Sequence, residues 1–462
     1  MERTTAKKNK YEIDMCNGTI MDKLISFSLP LMLSGILQLM FNAVDIIVVG
    51  RFSGSQALAA VGSTSALINV FTNLFIGISL GANVLTARFY AAGREKEVSE
   101  TVHTAITLAL VSGIVMALVG LVFSRGALAL MGTPDDVIGL SALYMRIYFL
   151  GMPFFMLYNY GAAILRAVGD TKRPLLFLVI AGVINACLNM VLVIVFKLGV
   201  AGVAIATVIS QMISCVLVLR CLCRSESSYR LRFSELGMKG YYLKQIFSVG
   251  VQAGIQRTVI NFSNVLLQSS VNSFGSTAMA GYTAANNLLG FLYVSVNSIT
   301  QACMSFTSQN YGVGKLKRMD RVLADCMILS VVVAVVLGCI CYGFGPEILQ
   351  IYTEDAEVIA CGMEILAYTT ITYFLCGWMD LFPGALRGMG YSAVPMVLSV
   401  IGTVGTRVVW IFGIFPYHRS LAILFISYPA SWIITIVLQV ICFYFVRRRV
   451  HRRSQALAGQ EA

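Results

Sequence analysis

The chain has 462 residues, of which 58% are hydrophobic and 12% charged, and a formal net charge of +12. Soluble domains carry about 25% charged residues, so an ordinary soluble globule is excluded and a polytopic membrane protein is expected. The basic excess does not point to nucleic acid, because Lys and Arg cluster at the two ends and in short segments between apolar runs, as the positive-inside rule requires.

The first 23 residues are polar. The apolar run that follows is too long for a signal-peptide core and lacks an A-x-A cleavage site, so no cleaved leader is expected. That run, residues 24–50, carries Asp45 well inside it. An acid at the centre of a bilayer costs about 2.5–3.5 kcal/mol on insertion scales and therefore faces a bundle interior or a wet cavity. Ser34, Gln38, Asn42 and Asp45 follow at spacings of four, four and three, one face of a helix. The stripe reads as a cation path or proton site. The plainer alternative is an Asp hydrogen-bonded to a neighbouring helix.

Apolar runs long enough to span a bilayer lie near 24–49, 58–87, 101–123, 137–164, 174–196 and 200–222, and again near 244–270, 277–307, 322–344, 357–386, 394–416 and 420–446. Twelve spans put both termini on one side. Of the 34 Lys and Arg, 27 fall on the side of the termini and four (Arg51, Arg125, Lys197, Arg419) on the other, which places both termini in the cytoplasm. Pro30, Pro153, Pro383 and Pro429 fall inside spans, where proline permits bending. Packing kinks are expected at Pro153 and Pro429, with a hinge open as the alternative at Pro30 and Pro383.

The chain repeats itself at an offset of 221. AILRAVGDTKRP (163–174) aligns with GALRGMGYSAVP (384–395), YAAGR (90–94) with YGVGK (311–315), and Asp136-Val137-Ile138 with Glu357-Val358-Ile359. The expected organisation is a cytoplasmic N-terminal segment (1–23), an N-lobe of six helices (24–222), a cytoplasmic linker (223–243), a C-lobe of six helices (244–446) and a basic tail (447–462). The fold class is thus all-α, twelve transmembrane helices in two six-helix lobes. Such repeats are typical of secondary transporters, with the binding site near the midplane.

Asn185 and Asn189 share a helix face in the fifth span, and Thr207 lies in the sixth. Neutral oxygens beside one carboxylate make a shell for a small hard cation; helix-to-helix hydrogen bonding is the alternative. In the second half, Arg257, Asn261, Asn264 and Gln268 form another one-face stripe. Asn286, Asn287, Asn297 and Gln301 lie in the eighth span, and Glu364, Thr372 and Asp380 in the tenth. Gln256, Asn261, Asn264, Asn286, Asp380 and Arg407 are the second-half candidates for substrate contact or coupling. Arg407 is expected to neutralise Asp380 if that pair is structural.

No Walker A loop, GxSxG or HExxH occurs, so neither an ATPase nor another enzyme is expected. The 12 cysteines form no CxxC pair and there are only three histidines, so a zinc or haem site is not expected and the cysteines read as small core hydrophobes. No cofactor is called for.

The sequence resembles the multidrug and toxic compound extrusion (MATE) family, on its bacterial NorM/DinF side. The resemblance rests on the LP…Q…N-x-x-D…VG pattern at 29–50, LRAVGDTKRP at 165–174 followed by Asn185, Asn272-Ser273-Phe274-Gly275, Gln309-Asn310-Tyr311-Gly312, and LRGMG at 386–390. It covers residues 20–447. It implies two lobes around a cavity opening alternately to either side, and H⁺ or Na⁺ entry driving expulsion of organic, often cationic, compounds. It also implies a likeness in cation site to DinF-like members, mapped by position to Asp45, Asn185, Asn189 and Thr207. Asn189 stands where such members have a second carboxylate. It further implies a bacterial plasma (inner) membrane location, a lipid bilayer and small-molecule substrates as partners, no nucleic acid, and a monomer. The alternative within the superfamily is a lipid-linked oligosaccharide flippase, for which Arg146, Arg257 and Arg407 would serve a pyrophosphate.

Overall fold

The computed structural model describes residues 11–458. The first ten residues of the expected N-terminal segment and the last four of the basic tail lie outside them. Contacts divide the chain into two units, residues 1–13 with 33–254 and residues 14–32 with 255–462. One helix, α1 (Met21–Phe52), therefore contributes its first part to the second unit and the rest to the first.

Unit 1 continues with α2 (Ser55–Ala91), α3 (Glu95–Leu130), α4 (Asp135–Leu150), α5 (Met152–Ala167) and α6 (Lys172–Asn189). A π-helical segment, Met190–Val195, prolongs α6, and α7 (Gly199–Cys223) follows. A short 3₁₀ turn, Phe233–Glu235, lies in the linker before α8 (Gly240–Asn272). Unit 2 adds α9 (Ser276–Gly312), α10 (Leu316–Gly343), α11 (Gly345–Gln350), α12 (Ala356–Thr369) and α13 (Tyr373–Gly388). After α14 (Ala393–Ser399), the π segment Val400–Gly405, α15 (Thr406–Val409) and the π segment Trp410–Ile414, the chain ends in α16 (Leu421–Ala458).

The repeat is visible in these boundaries. Shifted by 221, α2 coincides with α9 at both ends, α5 with α13 at both ends, and the starts of α3, α4 and α6 with those of α10, α12 and α14. Among the described residues eight helices are long and apolar enough to cross a membrane, or ten spans when each of two bent helix pairs counts as one. The polar stripes lower the hydropathy of α8 and α9, which at 33 and 37 residues are long enough to span and complete the twelve.

The fourth and tenth apolar runs are not straight spans. α4 and α5 meet at 47°, α12 and α13 at 50°. The causes differ. At the first break Gly151 ends α4 and Pro153, without an N–H to donate, opens α5. At the second, Thr369, Thr370 and Thr372 turn their hydroxyls onto the carbonyls of Ile365, Leu366 and Tyr368 at 2.6–2.8 Å, competition with the helix ladder that bends helices. α1 runs unbroken through Pro30, and α13 through Pro383.

Apolar association in lipid depends on close packing more than on water exclusion. In unit 1 a methyl group at Gly113 would overlap the backbone of Pro153, and one at Gly120 would overlap the Phe149 ring, so these glycines let α3 lie against α5 and α4. The linker docks on the same unit. His103 donates from Nδ1 to the Ser99 carbonyl (2.7 Å), leaving Nε2 to accept the Arg232 N–H at 3.0 Å. Lys239 pairs with Glu100, and its hydrogen bond holds the Glu100 carboxyl below the ordinary glutamate range.

Candidate cation site

Asp45 lies seven residues before the end of α1 and is 8% exposed. Asn189, the last residue of α6 and fully buried, donates from Nδ2 to Asp45 Oδ1. The same Nδ2 donates to Asn185 Oδ1 at 3.2 Å, one turn earlier. Thr207 on α7 places its hydroxyl 3.5 Å from Asp45 Oδ2 and donates more closely, at 3.0 Å, to the Val203 carbonyl. The Thr207 oxygen therefore keeps lone pairs free to face the carboxylate site. Three separate helices thus bring together all four residues expected from the sequence.

The widened turn begins directly after Asn189. π-helical turns are rare and concentrate at functional sites, and here one re-aims the helix just past the residue that grips Asp45. The Asn189 Oδ1 atom is buried without a hydrogen-bond partner. Rotating that amide by half a turn would exchange its nitrogen and oxygen and present the acceptor to Asp45. The site thus offers a carboxylate, two amide oxygens and a hydroxyl, a set that suits a proton or a small hard cation. It would not suit a transition metal, and no group of three His, Cys, Asp or Glu side chains able to hold a metal occurs among the described residues.

Two further residues stand by the acid. Tyr144 and Tyr148 on α4, stacked with centroids 6.1 Å apart, are within electrostatic reach of Asp45. Sequence reasoning missed them because aromatic residues on an apolar helix form no polar pattern. Gln38 and Asn42, by contrast, are exposed and make no hydrogen bond to Asp45 among the described residues. The stripe is present on α1, but only its last member turns into the packed site.

In unit 2 the expected Asp380–Arg407 pair is not formed. Arg407, 2% exposed, donates to Ser263 Oγ (2.8 Å), Asn264 Oδ1 (2.6 Å) and Ser431 Oγ (3.3 Å) and lies 4.8 Å from the Tyr428 ring centroid. Neutral oxygens and a π face satisfy it, which removes the need for the acid. The cations that act on Asp380 are Arg387 and Arg257. Gln256 is buried and accepts from Arg387; Asn261 is exposed and Asn286 half-buried.

Two repeated sets of membrane helices, with a buried acid among neutral oxygens in one of them, form an arrangement typical of secondary transporters. The MatE family model matches residues 30–191 and again 253–412, one copy in each half. The chain is 32% identical over 434 residues to a probable multidrug resistance protein, YoeA, of Bacillus subtilis, covering 92% of this chain and 93% of that one. It is 25% identical to the probable multidrug resistance protein NorM of Thermotoga maritima over 83% of each. A solved outward-facing conformation of a multidrug resistance MATE family transporter superposes with a TM-score of 0.87 at 19% identity, covering 97% of this chain and all of that one. The chain belongs to the MATE family.

Proposed function

We propose that this protein is a cation-coupled antiporter that exports organic, often cationic, compounds by alternating access, with H⁺ or Na⁺ entering at Asp45. The observation that carries the reading is the buried Asp45 carboxylate, which is held only by neutral donors. A charge so placed is costly unless a proton or a small cation joins it. The names of the relatives, which concern multidrug resistance, support the export of small molecules.

The coupling chemistry is local. With Asp45 ionised, Asn189 Nδ2 donates to it. When a proton or Na⁺ binds, the Asn189 amide turns and its oxygen accepts from, or ligates, the newcomer, drawing α1 and α6 into a second arrangement. Asn185 and Thr207 complete the oxygen shell. Because Asn189 is neutral, the site holds one full negative charge, which favours H⁺ over Na⁺. Substrate release on the far side and ion entry are then alternative occupancies of one cycle.

The same reading sets the protein in a bacterial plasma membrane with both termini and the 223–243 linker in the cytoplasm, lobes at 24–222 and 244–446, and a monomer as the working unit. It invokes no cofactor and no catalytic step. The flippase alternative gains no support. It relied on Arg146, Arg257 and Arg407, yet Arg146 is exposed and Arg407 is fully engaged by its neighbours. The test is ethidium accumulation in a pump-deficient bacterial host. Asp45→Asn, expressed to the same level, is expected to restore accumulation to that of the empty host; export equal to the wild type would refute the mechanism.

A further inference from the structure

The last helix of unit 2 is longer than a bilayer core. α16 has 38 residues, about 57 Å at about 1.5 Å per residue, against a hydrocarbon core of about 30 Å. Its apolar part ends at Tyr444, Phe445 and Val446, and Arg447, Arg448 and Arg449 follow within the same unbroken helix. One side of this extension is held by the protein. Cys442 and Val450 are buried in one cluster with Met319 of α10, Leu386 and Met389, and Arg447 donates to both oxygens of Asp320 on α10 at 2.6 and 2.7 Å. The opposite side is a continuous stripe. Ile434, Val437, Ile441, Phe445, Arg448 and Arg452 follow at spacings of three or four, and all six are exposed, Phe445 by 64%. Other cations at this end of the unit are spent inside it: Lys315 donates to the Cys16 carbonyl, Arg318 to those of Met15, Asn17 and Gly18, and Arg447 to Asp320. Arg448 and Arg452 have no carboxylate or carbonyl partner for their side chains among the described residues.

From this stripe we infer that α16 holds an anionic phospholipid, its acyl chains along Ile434, Val437 and Ile441 and its phosphate between Arg448 and Arg452. Tyr444 and Phe445, edge to face at 5.7 Å, form the aromatic band that spanning helices place at the membrane interface. Arginines one turn beyond that band lie at headgroup depth. Side chains four residues apart on a helix stand about 5–6 Å apart at Cβ, so both guanidinium forks reach one phosphate, whose oxygens they match in pairs. Val450 and the Asp320–Arg447 pair fix the extension, which sets the two forks in place before the lipid arrives. An anionic headgroup neutralises them, whereas a zwitterionic one brings its own ammonium against them. The inference goes beyond the export reading: it needs only that α16 spans a bilayer, and it holds whichever ion or substrate the transporter uses.

Native mass spectrometry of the purified full-length protein in detergent tests this, with dioleoyl phosphatidylglycerol, dioleoyl phosphatidylcholine or glycerol 3-phosphate added in turn. The wild type is expected to hold phosphatidylglycerol about tenfold more tightly than phosphatidylcholine, and glycerol 3-phosphate, which lacks the chains, more weakly than phosphatidylglycerol. Arg448→Gln combined with Arg452→Gln should abolish the preference between the lipids. Arg224→Gln combined with Arg230→Gln removes the same charge from exposed positions elsewhere and should keep it. Equal retention of both lipids by the wild type, or an undiminished preference in the Arg448→Gln, Arg452→Gln variant, would overturn the inference. So would an equal loss in the Arg224→Gln, Arg230→Gln variant, which would reduce the effect to net charge. Glycerol 3-phosphate held as tightly as phosphatidylglycerol would overturn it as well, by making the place a site for soluble phosphate rather than for a lipid.

Discussion

The same place in the two halves carries opposite charge. At the offset of 221, Asp45 corresponds to Leu266, Asn185 to Thr406, Asn189 to Trp410 and Thr207 to Tyr428. In the first unit a buried acid meets two amides and a hydroxyl; in the second a buried arginine, Arg407, meets two serines, an asparagine and the ring of Tyr428. Both centres sit beside π-helical turns, Met190–Val195 in one and Trp410–Ile414 in the other. On the proposed mechanism the acid of the first copy takes an exchangeable cation, whereas the second copy holds a tethered one in Arg407, which would confine ion exchange at this position to the first half.

That contrast can be sharpened by restoring charge to the first half. Asn189→Asp puts a second carboxylate beside Asp45. Two unit charges about 4 Å apart interact by about 4 kcal/mol at an effective dielectric of 20, so adding one is expected to raise Na⁺ affinity at least tenfold. ²²Na⁺ binding to the purified protein checks this, and no gain in Na⁺ binding would show that Asn189 does not face the ion.

A smaller effect is expected from the second half. Arg407→Leu leaves the Asn264 amide oxygen without its donor, while Ser263 and Ser431 keep the hydrogen bonds they donate to Ile260 and Tyr428, and should cost about 1–3 kcal/mol, less where water or repacking relieves it. The readout is the thermal midpoint in detergent, which should fall by several degrees while the coupling ion stays the same. A changed ion specificity would break the comparison. The smallest effect belongs to Thr207→Val, which keeps the shape but removes one oxygen held 3.5 Å from Asp45. A two- to fivefold loss in apparent affinity for the coupling ion is expected from the ion-concentration dependence of transport.

The repeat, the spans and the Asn185–Asn189 face were legible in the sequence because each leaves a linear mark: an offset, an apolar run, a spacing of four; the grouping of these two and Thr207 around Asp45 came from the family resemblance. The kink expected at Pro153 appears as the break between α4 and α5, but the bend at Thr370–Thr372 was not legible, since the apolar run continues across it. The hydroxyl-to-carbonyl bonds that bend the second pair concern local geometry, and composition is blind to it. The Asp380–Arg407 pairing failed for a related reason. Opposite charges on successive spans look like partners, but Arg407 finds its oxygens on α8 and α16, and Asp380 is left to Arg257 and Arg387. Tyr144 and Tyr148 were silent because only proximity in the fold makes them part of the site.

Proton release on ligand binding tests the central claim most directly. Ethidium added to the purified protein in weakly buffered, Na⁺-free solution should displace about one proton per chain if ligand and ion occupy the cycle in alternation. The account predicts this release for the wild type and for Asp380→Asn, and none for Asp45→Asn. Release from Asp45→Asn equal to that of the wild type would contradict it.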